Sequence, residues 1–334
     1  MTLRMPAQWA PHERSLLGWP CREAMWREHI GDARRETAAT ANAIAEFEPV
    51  TMVCATDQQA HDAAQFLSAN VDIVVIPMDG SWLRDNGPIY VTEGGSRVAR
   101  HYRFNGYGEY QAVREKDARL GQTLARHLGD DVTPVDLYLE GGAIAVDGAG
   151  TVVVTEYCLL HPNRNWHLTR EEVDRALRES LGADRVIWLP AGLVQDRGPG
   201  HTDGHTDLFF QFTGVGRALL NAPTGPNDVN SDVLTQARDI LTAAGIEIVD
   251  VPLMPEFTHN GETIIAPHLN LYICNGGVIV PVSGAEPDQD DEALAIIAAA
   301  LPLHQVVPVH MRAHPTLGGA IHCITQQVPV KEAS

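Results

Sequence analysis

Five segments of this chain carry residue types that can do chemistry. Near the end, Leu317-Gly318-Gly319-Ala320-Ile321-His322-Cys323 sets a thiol after a Gly-Gly turn and beside a histidine. Glycine lets the backbone turn or approach another group closely, so this thiol can face a pocket. Far upstream lie Trp82-Leu83-Arg84-Asp85-Asn86-Gly87-Pro88, Glu140-Gly141-Gly142, Gly204-His205-Thr206-Asp207 and His268-Leu269-Asn270. Singly, each has an ordinary reading. Cys323 and His205 would be core residues, Trp82 core packing and Glu140 a strand end. Asp85 would pair locally with Arg84, and Asp203 and Asp207 would cap turns.

Together they share one chemical logic. The thiolate of Cys323 is a nucleophile, and His205 within reach activates it or relays protons. Asp85 and Asp207 can each grip a planar guanidinium, whose donors form a fixed fork. The carbon between its nitrogens is then held beneath the sulfur. A covalent adduct splits the hydrolysis of this poor electrophile into two steps. Two carboxylates raise the pKa of a bare thiol, while a cationic substrate and a protonated histidine lower it. Activation is therefore expected mainly when substrate binds. His322, on a strand, would face away from its neighbour Cys323, so His205 is the expected partner of the thiol.

A different chemistry is written in His201-Thr202-Asp203-Gly204-His205-Thr206-Asp207. Its alternating histidines and aspartates would share one face of a strand and could hold a catalytic metal. Gly200 and Gly204 argue against a helix there. The thiol reading, without metal or cofactor, is preferred, and a metal-dependent hydrolase is the alternative.

The elements that must position these residues show a repeat. Apolar strand candidates start near Val71, Val135, Val186, Ile246 and Val306, spaced by roughly 60 residues. Strands led by glycine begin at Gly87, Gly150, Gly216 and Gly277. Amphipathic helices are expected at about 30–47, 109–129, 168–182, 227–244 and 288–301. Thr169 is a candidate N-cap, with Glu172 three residues on. Trp9, Trp19 and Trp26, among Pro6, Pro11 and Pro20, read as an aromatic loop region that caps something. The pattern predicts one α/β domain over 1–334, a ring of five ββαβ units. Equivalent positions, in or just before the glycine-led strands, would converge on the axis.

Composition sets limits. Of 334 residues, 44% are hydrophobic and 20% charged, as in a soluble globular protein. Acidic residues outnumber basic ones 43 to 24, a formal charge of −19. This disfavours nucleic acid and anionic membranes and favours a small cation as partner. No stretch reaches the ~20 apolar residues of a membrane span. Met1–Pro6 lacks the apolar core of a secretion signal. The scattered Cys21, Cys54, Cys158, Cys274 and Cys323 suggest reduced thiols in a cytoplasm. Self-association into a homo-oligomer stays open.

These residues resemble the agmatine deiminase family, within the guanidine-modifying superfamily of peptidylarginine deiminases, arginine deiminases and amidinotransferases. The resemblance runs from Met5-Pro6-Ala7-Gln8-Trp9 through Trp82–Pro88, Glu140–Asp147, Asn163-Arg164-Asn165 and Asp203–Asp207 to Ile321–Gln327. It implies a five-bladed α/β propeller, the pentein fold. It also implies that Cys323 attacks the guanidinium carbon and that His205 protonates departing ammonia and then activates water. Asp85 and Asp207 would hold the guanidinium, with Trp82, Glu140 and Gly319 supporting. A thiouronium intermediate would carry agmatine to N-carbamoylputrescine and ammonia. Departures from the family's pattern fall at Leu317, Ala320, Pro267-His268-Leu269, His161 and Trp166. They bear on the wall around the substrate's far end, so another alkylguanidine, an arginine derivative or an amidinotransferase reaction are alternatives. An ammonium at that end needs a carboxylate or an aromatic face; Trp19, Trp26 and Glu13 are candidates.

Overall fold

A computed structural model describes residues 3–109, 115–198, 200–225, 227–253, 256–259, 262–265 and 267–331. Among these, five sheets of three or four strands account for all but one hairpin, Phe257–His259 with Glu262–Ile264. Four sheets follow one plan. In the first, Ile89–Glu93 pairs antiparallel with Ser96–Arg103, which pairs parallel with Asp131–Tyr138. Helix Asp117–His127 makes the crossover. The same order recurs in Ile144–Val146, Thr151–Thr155 and Arg185–Leu189. It recurs again in Phe210–Gly214, Arg217–Ala222 and Glu247–Pro252, and in Tyr272–Cys274, Gly277–Val282 and Gln305–His310. The crossovers there are helices Arg170–Leu181, Ser231–Ala243 and Pro287–Ala300. The fold is mixed α/β, and each sheet is open.

The fifth sheet joins the two ends of the chain. Thr325–Pro329 pairs antiparallel with His12–Gly18, which runs parallel to Val50–Cys54, itself parallel to Val71–Val75. Helix Ile30–Ile44 makes the crossover between His12–Gly18 and Val50–Cys54. The aromatic segment thus contains a strand, which its prolines and tryptophans obscured. Tertiary pairing, not local propensity, makes it.

Burial explains the strand sequences. Val50–Cys54, Thr151–Thr155 and Gly277–Val282 are buried along their whole length. Strands covered on both faces read as continuous apolar runs rather than alternating ones. Each fully buried valine or leucine in them contributes about 1.5–3 kcal/mol. The outer strands Asp131–Tyr138, Glu247–Pro252 and Gln305–His310 are largely exposed and carry Pro134, Pro252 and Pro308. Proline and charge are how an edge strand avoids further pairing.

The expected helices are present with shorter ends. Thr169 and Glu172 form the capping box, with Glu172 N–H on Thr169 Oγ1 at 3.2 Å and Thr169 N–H on Glu172 Oε2 at 2.8 Å. The helix expected from 109 starts only at Asp117, and residues 110–114 lie outside the described residues. Tyr107 and Gly108 just before that gap sit at positive φ, which no helix continues. The repeat register also needs one correction. Gly87 leads the first strand of its sheet, whereas Gly150, Gly216 and Gly277 lead middle strands. The candidate site segments therefore precede the first strand of each sheet, not the second.

Candidate active site

Five short turns, each immediately before a first strand, carry the candidate residues. Leu83–Asn86 bears Asp85, Gly141–Ala143 follows Glu140, Thr206–Leu208 bears Asp207 and follows His205, and Ile321–Ile324 bears Cys323. Asn270 precedes Tyr272–Cys274 in the fifth such place. The turns meet. A β-carbon placed on Gly142 would lie 2.5 Å from His205 Nδ1, 2.9 Å from Asp207 Oδ2 and 3.0 Å from Asp85 Oδ1. Asp207 Oδ2 is 3.6 Å from Cys323 Sγ. Residues more than two hundred positions apart thus converge on one point, as the repeat predicts.

Cys323 and Asp85 line a cavity of about 590 Å³, together with Trp82, Tyr107, Trp26 and Gly319. His205 and Asp207 stand behind this wall, fully buried. Gly319 lets Trp82 close over the thiol: a β-carbon there would be 2.5 Å from the indole ring. Trp26 packs on Trp82 with ring centroids 5.7 Å apart. Trp19 is a core residue against Phe66, and Glu13 pairs with Arg97 at 2.8 Å, so neither lines the cavity.

The electrostatics suit a cationic guest. Asp85 Oδ1 accepts from Gly142 N–H and Oδ2 from Tyr107 O–H, both at 2.9 Å. Burial raises its pKa to about 6, against the pull of His205 and with the push of Asp207. Burial pushes the Asp207 carboxyl up, but the hydrogen bond from His322 and the charges of His205 and Arg84 outweigh it and hold its pKa below the ordinary range. Its Oδ1 has no hydrogen-bond partner among the described residues. His205 Nδ1 is 3.8 Å from Asp85 and Nε2 is 3.8 Å from Glu140. Those contacts are too long for hydrogen bonds, and both ring nitrogens stay unbonded among the described residues. Burial opposes charge on this ring, but Asp85, Cys158 and Glu140 outweigh it and raise its pKa well above the ordinary value. His205 is thus an imidazolium at neutral pH. Burial, then Asp207 and Asp85, raises Cys323 far above an ordinary thiol. Without substrate the sulfur keeps its proton.

Supporting residues outside the expected set hold this array. Asn270 Oδ1 accepts from the amides of Ala320 and His322 at 3.1 Å, and its Nδ2 lies 3.3 Å from Cys323 Sγ. His322 stands on a helical turn, not a strand; its Nδ1 lies 2.7 Å from Asp207 Oδ2. Gln8 fixes the tautomer. Its Oε1 accepts from Ile273 N–H, so its amide N–H donates to His322 Nε2 at 2.9 Å. That leaves the proton on Nδ1, facing Asp207. Burial lowers the pKa of His322 to about 4, with Arg84 adding to the effect, so the ring is neutral. Asp196 gathers the loop before His205, accepting from the amides of Thr202, Gly204 and His205 at 2.9–3.0 Å. Arg164 Nε donates to Glu140 Oε1 at 2.8 Å, leaving Oε2 for His205. Arg84 turns from Asp85 to His322 O and Gln327. Sequence signals existed for two of these: Asn270 falls at a matching place in the repeat, and His322 adjoins the thiol. Nothing local marks Gln8, Asp196 or Tyr107.

The HTDGHTD segment does not gather its side chains. His201 lines the cavity, Asp203 binds Asn163 and Arg164, and Asp207 faces His322. Among the described residues the metal-type cluster is Glu140, Cys158 and His205, with ligand atoms within 4.8 Å. Arg164 already occupies Glu140 in that cluster.

This site, set among five open sheets, four of them of one plan, has the parts of a thiol enzyme that handles a guanidinium. Comparison gives the lineage. Residues 4–329 match the family model of Porphyromonas-type peptidyl-arginine deiminases, and the chain belongs to that family. A Streptomyces coelicolor protein is 38% identical, covering 98% of this chain and 99% of its own. The agmatine deiminase of Ectopseudomonas mendocina is 35% identical, covering 99% and 96%. The solved agmatine deiminase of Enterococcus faecalis superposes with a TM-score of 0.92 at 28% identity, covering 99% of this chain and 96% of that one.

Proposed function

We propose that this protein is a hydrolase that deiminates a small guanidine, with agmatine, the substrate named for its relatives, converted to N-carbamoylputrescine and ammonia. The observation that carries the reading is the convergence of Cys323 and Asp85, in the cavity wall, with the buried His205 and Asp207 behind them. Among the described residues, the Asp207 Oδ1 acceptor and the two His205 ring nitrogens have no hydrogen-bond partners. Buried polar atoms are rarely left so, and a bound guanidinium and its water would complete them.

In this mechanism the guanidinium settles between Asp85 and Asp207. Its charge offsets the two carboxylates that hold the thiol protonated, so Cys323, which lines the cavity, releases its proton to solvent water as substrate binds. The thiolate attacks the guanidinium carbon and forms a C–S bond. His205 gives its proton to the leaving nitrogen, the C–N bond breaks, and ammonia departs. The cationic thiouronium remains on Cys323. His205, now neutral and steered by Glu140, takes a proton from water. The hydroxide adds to the carbon, the C–S bond breaks, and the ureido product leaves with the thiol restored. Trp82 and Tyr107 wall the reacting centre, and Gly319 gives the ring room.

The same reading covers the architecture. The five sheets are blades of one propeller, a single domain, closed by the pairing of Thr325–Pro329 with His12–Gly18. Its five free thiols fit a cytoplasm. No helix among the described residues is long and apolar enough to cross a membrane.

The test is incubation with agmatine followed by mass spectrometry. N-carbamoylputrescine is expected, with an adduct of agmatine less ammonia on the acid-quenched Cys323 peptide. A Cys323 adduct whose carbon passes to a competing amine, seen as a new guanidine in place of the ureido product, would favour amidine transfer instead.

A further inference from the structure

Trp82 and Trp26 line the cavity together with Cys323. An indole at a cavity wall is packed on one side only, so what backs it sets its angle. Gly319 gives Trp82 no side chain to rest on. The backing is another ring. His314 is fully buried, with its centroid 4.8 Å from that of Trp26 and 5.9 Å from that of Trp82. The interplanar angles are 68° and 87°, both edge-to-face. Rings in that arrangement hold one another at a preferred angle. With Trp26 5.7 Å from Trp82, the three rings form a closed triangle.

The imidazole is itself held. Its Nδ1 lies 2.7 Å from Glu36 Oε2, and its Nε2 lies 3.2 Å from Thr37 Oγ1. A carboxylate only accepts, so Nδ1 carries a proton. Glu36 also accepts from the amides of Arg312, Ala313 and His314 at 2.7, 2.8 and 3.1 Å. Burial pushes its carboxyl up, but the hydrogen bond and charge of His314 and the amides of Ala313 and Arg312 outweigh it and keep its pKa below the ordinary range. Glu36 and Thr37 stand on helix Ile30–Ile44, and the amides they meet open the loop whose Thr316, Leu317, Gly318 and Gly319 line the cavity. One carboxylate on a helix thus fixes both the loop and the ring that backs the indoles. Reactive geometry depends on such backing, because a side chain keeps its rotamer only when packing and hydrogen bonds around it lock it. We propose that His314, fixed by Glu36, is a positioning residue for the deimination, setting the angle of Trp82 over Cys323. This rests on the deiminase reading above and adds to it a residue that acts through the indole.

The test is a double-mutant cycle on agmatine turnover, with far-UV circular dichroism to confirm the fold and near-UV circular dichroism to read the indole pair. His314→Ala removes the backing ring and should lower kcat by about 100-fold, the scale of a displacement of about 1 Å at the reacting centre. His314→Phe keeps a ring but not its hydrogen bonds, and should lose about 10-fold. Both should alter the near-UV signal while the far-UV spectrum stays native. In a Trp82→Phe background, His314→Ala should cost no more than about threefold further, because the group it acts through is gone. A merely structural His314 would cost the same in both backgrounds, since independent effects add in free energy. If His314→Ala does not fold, the same cycle is run with His314→Phe, whose loss should likewise vanish. A kcat within about threefold of wild type in His314→Ala, or a loss that persists in full beside Trp82→Phe, overturns the inference and leaves the deiminase reading standing. If the wild type makes no ureido product from agmatine, the deiminase reading itself falls, and this inference with it.

Discussion

Asn270 holds Cys323 from two sides: its Oδ1 gathers backbone amides of the nucleophile turn while its Nδ2 sits 3.3 Å from the sulfur. A donor at that distance favours a thiolate over a thiol. Asn270→Ala should therefore lower kcat by about 10²-fold, the scale of losing one preorganised donor. Alkylation of Cys323 by iodoacetamide should slow as well, because less thiolate is present. An Asn270→Ala enzyme with normal kcat and normal alkylation would remove this role.

Gly142 is where His205, Asp207 and Asp85 share space. A β-carbon there would fall 2.5 Å from His205 Nδ1, so Gly142→Ala must push His205 or the carboxylates aside. Displacement of reacting groups by about 1 Å can cost 10²-fold. Steady-state kinetics should show that loss in kcat while circular dichroism stays native. Unchanged kcat would mean that the turn relaxes away from the site.

The acid limb of the pH profile should belong to Asp85. Its pKa is raised to about 6, and only its charged form grips a guanidinium. kcat/KM should rise with pH through about 6 and fall about tenfold per unit below it. His205 works as the acid, and its raised pKa keeps the proton on through neutrality. A limb near pH 4, the range of an ordinary carboxylate, would show that Asp85 is not the controlling group.

His322 acts through Asp207 and not on the thiol. Its Nδ1–H donates to Asp207 Oδ2 at 2.7 Å, with the tautomer set by Gln8. His322→Asn keeps a donor in reach and should retain more activity than His322→Leu. The losses should be about 10-fold and 100-fold. In His322→Leu, the pH at which Asp207 ionises should rise, lifting the acid limb. Equal losses with an unmoved limb would reduce His322 to packing.

Much of this was legible in the sequence because the fold repeats. Apolar strands recurring about every 60 residues placed Asp85, Glu140, His205 and Cys323 at matching positions, and the turns do meet. Misplacement of Gly87 in the repeat had a plain cause: both strands of a hairpin start after glycines, and pattern alone does not rank them. The strand His12–Gly18 was hidden because its partners Thr325–Pro329 and Val50–Cys54 are remote in sequence. His322 was misread because strand periodicity was extended through residues 321–324, which turn as a helix. Gln8 acts through long-range hydrogen bonds, and Asp196 by gathering backbone amides of the loop that follows it, a role that no residue pattern announces. Glu13 looked suited to a distal ammonium by charge alone; in the fold it serves Arg97.

The account stands on Cys323 as nucleophile, and the rate of ammonia release from saturating agmatine by Cys323→Ala tests it most directly. A nucleophile that forms a covalent intermediate cannot be spared, so a loss of about 10⁴-fold or more is predicted, with His205 and Asp85 still in place. Release within a few-fold of the wild-type rate would contradict it.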